Sequence, residues 1–215
     1  MASTSGLGRI GTPDDPIRCA ILISGSGSGM EAMLNHQQNP ESCHYTNLVI
    51  SNKAGVAGID KAEKQSVPVK IIELPDILDK SKRRFEHENL IDEALNEYEV
   101  ELVILSGYMR ILSSDFIKIW NGRIVNIHPS LLPDFPGAHA HRDAIAAGAT
   151  MSGCTVHYVD AGMDTGEIIA QCEAEIFPED TEQTLSERVK RFEHILYPLV
   201  IDAIAKNDFS NLKFD

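Results

Sequence analysis

The chain has 215 residues, with 19 Lys and Arg against 32 Asp and Glu and a formal charge of −13. That length can bury a core without disulfide or metal staples, and 43% hydrophobic with 24% charged residues is an ordinary globular composition. The acidity argues against a nucleic-acid partner, whose backbone is held by Lys and Arg, but leaves room for a small anion in a local pocket.

Met1 to Pro16 is rich in Ser, Gly, Thr and Pro and has no apolar stretch, so it reads as a flexible tail or linker rather than a signal peptide. A single domain is expected over residues 17–215. Ile17–Ser24 is an apolar run of the kind buried on both faces of a parallel sheet. Gly25–Gly29 reads as a turn, and Met30–His36 as the start of a helix. Strands are predicted at Tyr45–Ser51 and Val67–Leu74, with a helix between them at Gly55–Gln65. Lys80–Tyr98 reads as a long charged helix with Phe85, Leu90, Ile91, Ala94 and Leu95 as its apolar stripe.

Val100–Ser106 is a further buried strand, followed by a short helix at Ser114–Ile119 and a strand at Ile124–Ile127. After a helical segment at Arg142–Ala147 the alternation changes. Thr155–Val159 and Glu167–Glu175 read as strands of a mixed or antiparallel edge. A closing helix, Thr181–Ala205, meets Pro198 late, which should kink or interrupt it. The pattern is that of an α/β fold with a doubly wound, mostly parallel sheet. The four cysteines form no CxxC pair and read as reduced, buried thiols. No apolar run approaches the roughly 20 residues that span a bilayer, so no membrane partner is expected and the cytoplasm is the default location.

Two segments carry candidate chemistry. Ser24–Gly29 joins a strand to a helix, where small residues let backbone N–H groups face an anion. It matches neither GxxxxGK[ST] nor GxGxxG, and from the turn alone a phosphate site and a plain tight turn are equally good readings. The second segment, Asn126-Ile127-His128-Pro129-Ser130-Leu131-Leu132-Pro133, leaves a strand end, where open α/β sheets place ligand crevices. Asn126 and His128 share one face of an extended chain, and an amide beside an imidazole suits a carbonyl carbon under attack. A zinc site built from His139, His141 and His157 is the competing reading, although HxH on a proline-rich loop is unspecific.

The segment from Asn126 to Pro133, followed by Gly137-Ala138-His139, resembles the hallmark of the 10-formyltetrahydrofolate-dependent formyltransferase family. Ser24–Gly29, Gly107-Tyr108-Met109-Arg110-Ile111-Leu112 and the Arg188–Pro198 segment resemble the branch of that family that formylates glycinamide ribonucleotide in purine synthesis. The likeness covers Ile17 to Ala205. It implies a Rossmann-like formyltransferase fold and formyl transfer through a tetrahedral intermediate.

The resemblance assigns catalysis to Asn126, His128 and Asp164. It places substrate phosphate and ribose on Gly27, Ser28, Gly29, Lys190 and Glu193. Folate falls on Arg84, on Met109, Arg110, Ile111 and Leu112, and on Asp160, Ala161, Gly162, Met163 and Asp164. It implies 10-formyltetrahydrofolate as cosubstrate, no metal, and a place in the C-terminal part of a multifunctional purine-synthesis polypeptide. Gly29 stands where the family usually has Asn, which removes an amide side-chain contact.

Overall fold

The computed structural model describes residues 6–210 and 212. Seven strands form one sheet: β1 (Ile17–Ile23), β2 (His44–Ser51), β3 (Val69–Ile71), β4 (Leu102–Leu105), β5 (Ile124–His128), β6 (Met151–Tyr158) and β7 (Ile168–Glu175). Their spatial order is β3-β2-β1-β4-β5-β6-β7. Pairings from β3 through β5 are parallel, and β6 and β7 join antiparallel. The chain therefore winds outward from β1 in two directions, and the order reverses between β1 and β4. That reversal opens a crevice beyond the strand ends, where Ser24 and Ser106 lie.

The apolar runs follow from burial on both faces. In β1, Cys19, Ile21 and Ile23 enter one core cluster while Ala20 and Leu22 enter the other. The helices are α1 (Ser28–His36), α2 (Ala57–Lys64), α3 (Lys80–Glu97), α4 (Ser114–Ile119), α5 (Ala140–Ala146) and α6 (Glu182–Lys206). Residues of α1 and α6 fill the first cluster, and those of α3 and α4 the second. Within the second, Trp120 donates its indole N–H to Asp92 at 2.8 Å.

Five sequence expectations change. Phe85 and Leu90 point outward, at 58% and 45% exposure. The inward face of α3 is instead His87, Glu88, Ile91, Ala94 and Leu95. The polar members are satisfied: the His87 ring bonds the Ile72 carbonyl at 2.8 Å, and Glu88 accepts from the Ser113 N–H and hydroxyl. Val67–Leu74 shrinks to a three-residue strand at the sheet edge. Helix α6 runs uninterrupted through a buried Pro198. Of the four free cysteines, Cys172 is only half-buried.

The tail is the fifth correction. Residues 1–5 lie outside the described residues, but residues 6–16 are fastened to the body rather than free of it. Arg9 binds both oxygens of Glu101, at 2.6 and 2.8 Å, and the Gly11 N–H donates to Ala205 at 2.8 Å. Burial pushes the Glu101 carboxyl up, but the bonds from Arg9 and the Arg18 N–H outweigh it and hold the carboxyl below its usual range.

A second polar clasp lies nearby, on the same helix α6 that the tail reaches at Ala205. Asp202 on α6 takes a 2.7 Å bond from His36 at the end of α1 and faces Nε2 of His44 on β2 at 3.3 Å. The Gln37 amide oxygen accepts the Thr46 N–H, so its nitrogen donates to Nδ1 of His44 and leaves the proton of the neutral ring on Nε2, toward Asp202. Burial keeps His44 below its ordinary proton affinity, while the two imidazoles outweigh burial and hold Asp202 well below the carboxylate range. The unfolded chain thus binds more protons than the native one below about pH 6.5 through His44, and below about pH 4 through Asp202. Stability falls on acidification. Asp202→Ala should cost about 2–3 kcal/mol at pH 7, read as a lowered urea midpoint, because it removes the charged acceptor of the His36 bond and the carboxylate that faces His44.

Candidate active site

A cleft of about 680 Å³ opens where the strand order reverses. Its first wall is the glycine-rich turn. Gly27 caps α1 in a left-handed conformation, at φ 65°, and a Cβ there would meet the Gly58 Cα at 2.7 Å. The N–H groups of Ser28, Gly29 and Met30 belong to the first turn of α1 and have no partner within the helix. The Ser24 hydroxyl accepts the Met109 N–H at 2.8 Å, which ties this turn to the loop after β4.

The second wall comes from β5 and the loop behind it. Leu105 pairs with Asn126, and Asn126 in turn pairs with His157 across the antiparallel β5–β6 ladder. Ser130 is fully buried and donates to the Asp134 carbonyl at 2.5 Å, while the Leu132 N–H donates to Thr155 at 3.0 Å. These bonds set the turn at Phe135, whose carbonyl accepts from Nε2 of His128 at 3.0 Å. Nδ1 of His128 is left without a hydrogen bond, 3.4 Å from Oδ2 of Asp164. Bonding that carboxylate directly requires a proton on Nδ1 as well, the imidazolium form.

His157 completes the cluster. Its Nδ1 donates to the Tyr158 carbonyl at 2.8 Å, so Nε2 accepts from Asn126 Nδ2 at 3.2 Å. That fixes the amide nitrogen and leaves its second N–H for a ligand. Burial lowers the proton affinity of His157, which keeps it an acceptor. The sequence reading placed His157 only in the zinc alternative. The alternating pattern on β6 puts it on one face with Thr155, and pairing with Asn126 needed a strand register that spacing does not contain. Asp164 itself sits at φ 55° and accepts the Gly137 N–H at 2.8 Å.

The structure brings most of the expected residues to one cleft. Asn126, His128 and Asp164 line it, as do Gly27, Ser28, Gly29, Lys190 and Glu193. Met109, Arg110, Ile111, Leu112, Asp160, Gly162 and Met163 line it too, and Met109, Ile111 and Met163 are 64%, 59% and 55% exposed at its rim. Arg84 and Ala161 do not line it, and Arg84 is exposed on α3. Arg110 is the guanidinium within reach of the cleft. His139 also lies off the cleft wall and exposed, so the three histidines of the zinc reading do not form one ligand set. Among the described residues, His36, His44 and Asp202 are the group whose ligand atoms lie within 4.8 Å of one another, and Gln37 fills the lone pair of His44 Nδ1 there.

Burial raises the Glu193 carboxyl to about 7, against the opposing pull of Lys190 one helical turn away. The same cause lowers His141, which lines the cleft with them.

An α/β crevice with unpaired helix N–H groups at one end and an amide, imidazole and carboxylate at the other has the donor set of a group-transfer site at a carbonyl carbon. The formyl transferase family model matches residues 17–201, and the chain belongs to that family. It is 46% identical over 188 residues to a Bos taurus protein named trifunctional purine biosynthetic protein adenosine-3, covering 87% of this chain and 18% of that one. The Homo sapiens protein of that name is 45% identical with the same coverage, so the chain spans 18% of the length of these relatives. Among solved structures, the Brucella melitensis phosphoribosylglycinamide formyltransferase has a TM-score of 0.82 at 42% identity, covering 88% of this chain and 96% of that one. Glycinamide ribonucleotide transformylase 1 from Symbiobacterium toebii has a TM-score of 0.84 at 35% identity, covering 89% of each.

Carbon-13 NMR of glutamate-labelled protein should show a side-chain carboxyl titrating near pH 7. The signal should be missing in Glu193→Gln, and a Glu193 that titrates in the ordinary range of about 4 would contradict the burial argument.

Proposed function

We propose that this chain transfers the formyl group of 10-formyltetrahydrofolate to the primary amine of glycinamide ribonucleotide, a step of purine synthesis, in the cytoplasm. The observation that carries the reading is the convergence of Asn126, His128 and Asp164 on one cleft whose other end is a cradle of free N–H groups. The names of the similar structures support it. Residues 17–215 serve as one formyltransferase domain, and the trifunctional relatives support a place within a longer purine-synthesis polypeptide.

The cradle and Lys190 hold the substrate phosphate, and Glu193 receives ribose hydroxyls. This sets the amine toward Asn126. The rim of Met109, Ile111 and Met163 covers the apolar body of the folate, and Arg110 offers a cation to its acidic groups. Attack of the amine on the formyl carbon places negative charge on the formyl oxygen. The free N–H of Asn126 donates to that oxygen, and a proton on Nδ1 of His128 adds positive charge beside it. His157 keeps the Asn126 amide turned so that its nitrogen, and not its oxygen, faces the ligand. Asp164 lies next to Nδ1 of His128 and takes up the proton released by the amine, which then passes to the departing folate nitrogen.

Asn126→Ala, His128→Ala and Asp164→Asn should each lower kcat by about 100-fold or more with folded protein retained by circular dichroism. A formyl-transfer assay with 10-formyltetrahydrofolate and glycinamide ribonucleotide measures this. Near-normal rates in all three variants would remove the assignment, and free formate in place of formylated amine would identify a hydrolase.

A further inference from the structure

Gly29 and Ser106 occupy a single space. A Cβ built on Gly29 would approach the Ser106 hydroxyl oxygen at 2.7 Å, and it would meet nothing else within 4 Å. Ser106 follows the last residue of β4, and its backbone N–H donates to the Leu22 carbonyl of β1 at 3.0 Å, across the reversal of strand order. The residue is 9% exposed and lines the cleft together with Gly27, Ser28 and Gly29. Its backbone is thus fixed, and its side chain is aimed at the first turn of α1. No hydrogen bond from this hydroxyl is found among the described residues, although its neighbour Ser24 is bonded to Met109.

A hydroxyl this deep in the cleft wall, with no partner from the protein, is open to a ligand that takes the place of water. The first turn of α1, which the hydroxyl faces, carries N–H groups without a partner in the helix, and Lys190 and Glu193 stand in the same cleft wall. A group that satisfies several donors at once must be rich in acceptors, and the positive end of the helix favours an anion. Free N–H groups alone would make an ordinary helix-end site. The fixed hydroxyl, in the room that only a glycine at 29 leaves, makes it a built one.

We propose that Ser106 donates its hydroxyl hydrogen to the phosphomonoester of the substrate, supplying from β4 the side-chain hydrogen bond that Gly29 cannot give from α1. Gly29 and Ser106 then form a matched pair: a side chain at 29 displaces the hydroxyl, and the hydroxyl requires glycine at 29. The inference rests on the ribonucleotide reading of the same cleft.

Two measurements separate its failure from the failure of that reading. In formyl transfer, Ser106→Ala should raise KM for glycinamide ribonucleotide about tenfold, the size expected for one hydrogen bond to a charged group, with KM for the folate unmoved. The same substitution should leave kcat/KM unchanged for the amine that lacks the phosphate. Gly29→Ala should reproduce the loss by pushing the hydroxyl aside, and Gly29→Ala with Ser106→Ala should lose no more than either alone. Calorimetry with ribose 5-phosphate gives the second measurement, in which Ser106→Ala should weaken binding by a similar factor. Weakened ribose 5-phosphate binding in an enzyme that does not formylate the ribonucleotide would uphold the phosphate contact and overturn the substrate. An active enzyme with unchanged KM in Ser106→Ala, or equal losses with and without the phosphate, would overturn the role of Ser106 alone.

Discussion

Asp164 accepts the Gly137 N–H at 2.8 Å while its two oxygens face His128 at 3.4 Å and His157 at 3.8 Å, so one carboxylate joins the loop after β5 to the loop after β6. Its backbone lies in the left-handed region, which a short polar side chain tolerates when local bonds hold it. The preceding turn supplies such bonds, since Asp160 accepts from the Gly162 N–H at 3.0 Å and the Thr165 hydroxyl at 2.8 Å. Once Asp164 is fixed, its carboxylate lies beside the rings of β5 and β6, within bonding reach of a proton on Nδ1 of His128, while Nε2 of His157 is kept for Asn126. The ladder register that pairs Asn126 with His157 then brings the amide to the same place. The antiparallel edge thus has a chemical consequence, because it sets β6 beside β5 with side chains opposed in register.

Much of this architecture could be read from the chain because burial on both faces writes itself into composition. The runs at Ile17–Ile23 and Leu102–Leu105 can be little else than central strands. Helix α3 was harder, because its inward face includes His87 and Glu88. A hydrophobic count picks Phe85 and Leu90 in their place, although a buried Glu bonded to Ser113 costs the fold little. The segment at 6–16 misled for a related reason. Its composition is that of a linker, yet Arg9 finds Glu101, a partner 92 residues away. Long-range pairing of this kind leaves no local trace, and the alliance of His157 with Asn126 is hidden in the same way.

The two ends of the cleft differ in how far the protein satisfies its own groups. At the end proposed for catalysis, the Asn126 amide, Nε2 of His128 and the Asp164 carboxylate already hold bonds within the fold. Those bonds fix orientation before a substrate arrives, as catalysis by preorganised donors requires. At the cradle end, the helix N–H groups have no partner within the helix, so a ligand there gains new bonds without breaking old ones. Under the proposed function, binding energy would be concentrated at the phosphate, away from the reacting carbon, and could be used to position the amine.

Under the proposed function, this division also explains how so acidic a chain would serve anionic ligands. At −13 the surface as a whole gives no attraction to a phosphate or a folate carboxylate. Several of its carboxylates are engaged internally, as Glu101 is with Arg9 and Asp180 with Arg188. Glu193, the carboxyl beside Lys190 in the cleft wall, is held by burial near the midpoint of its titration at neutral pH. Its negative charge is therefore partly absent where a phosphate would meet it, while Lys190 and the end of α1 remain positive. The same burial that would disfavour a charged glutamate thus makes this part of the cleft more receptive to an anion than the sequence charge suggests.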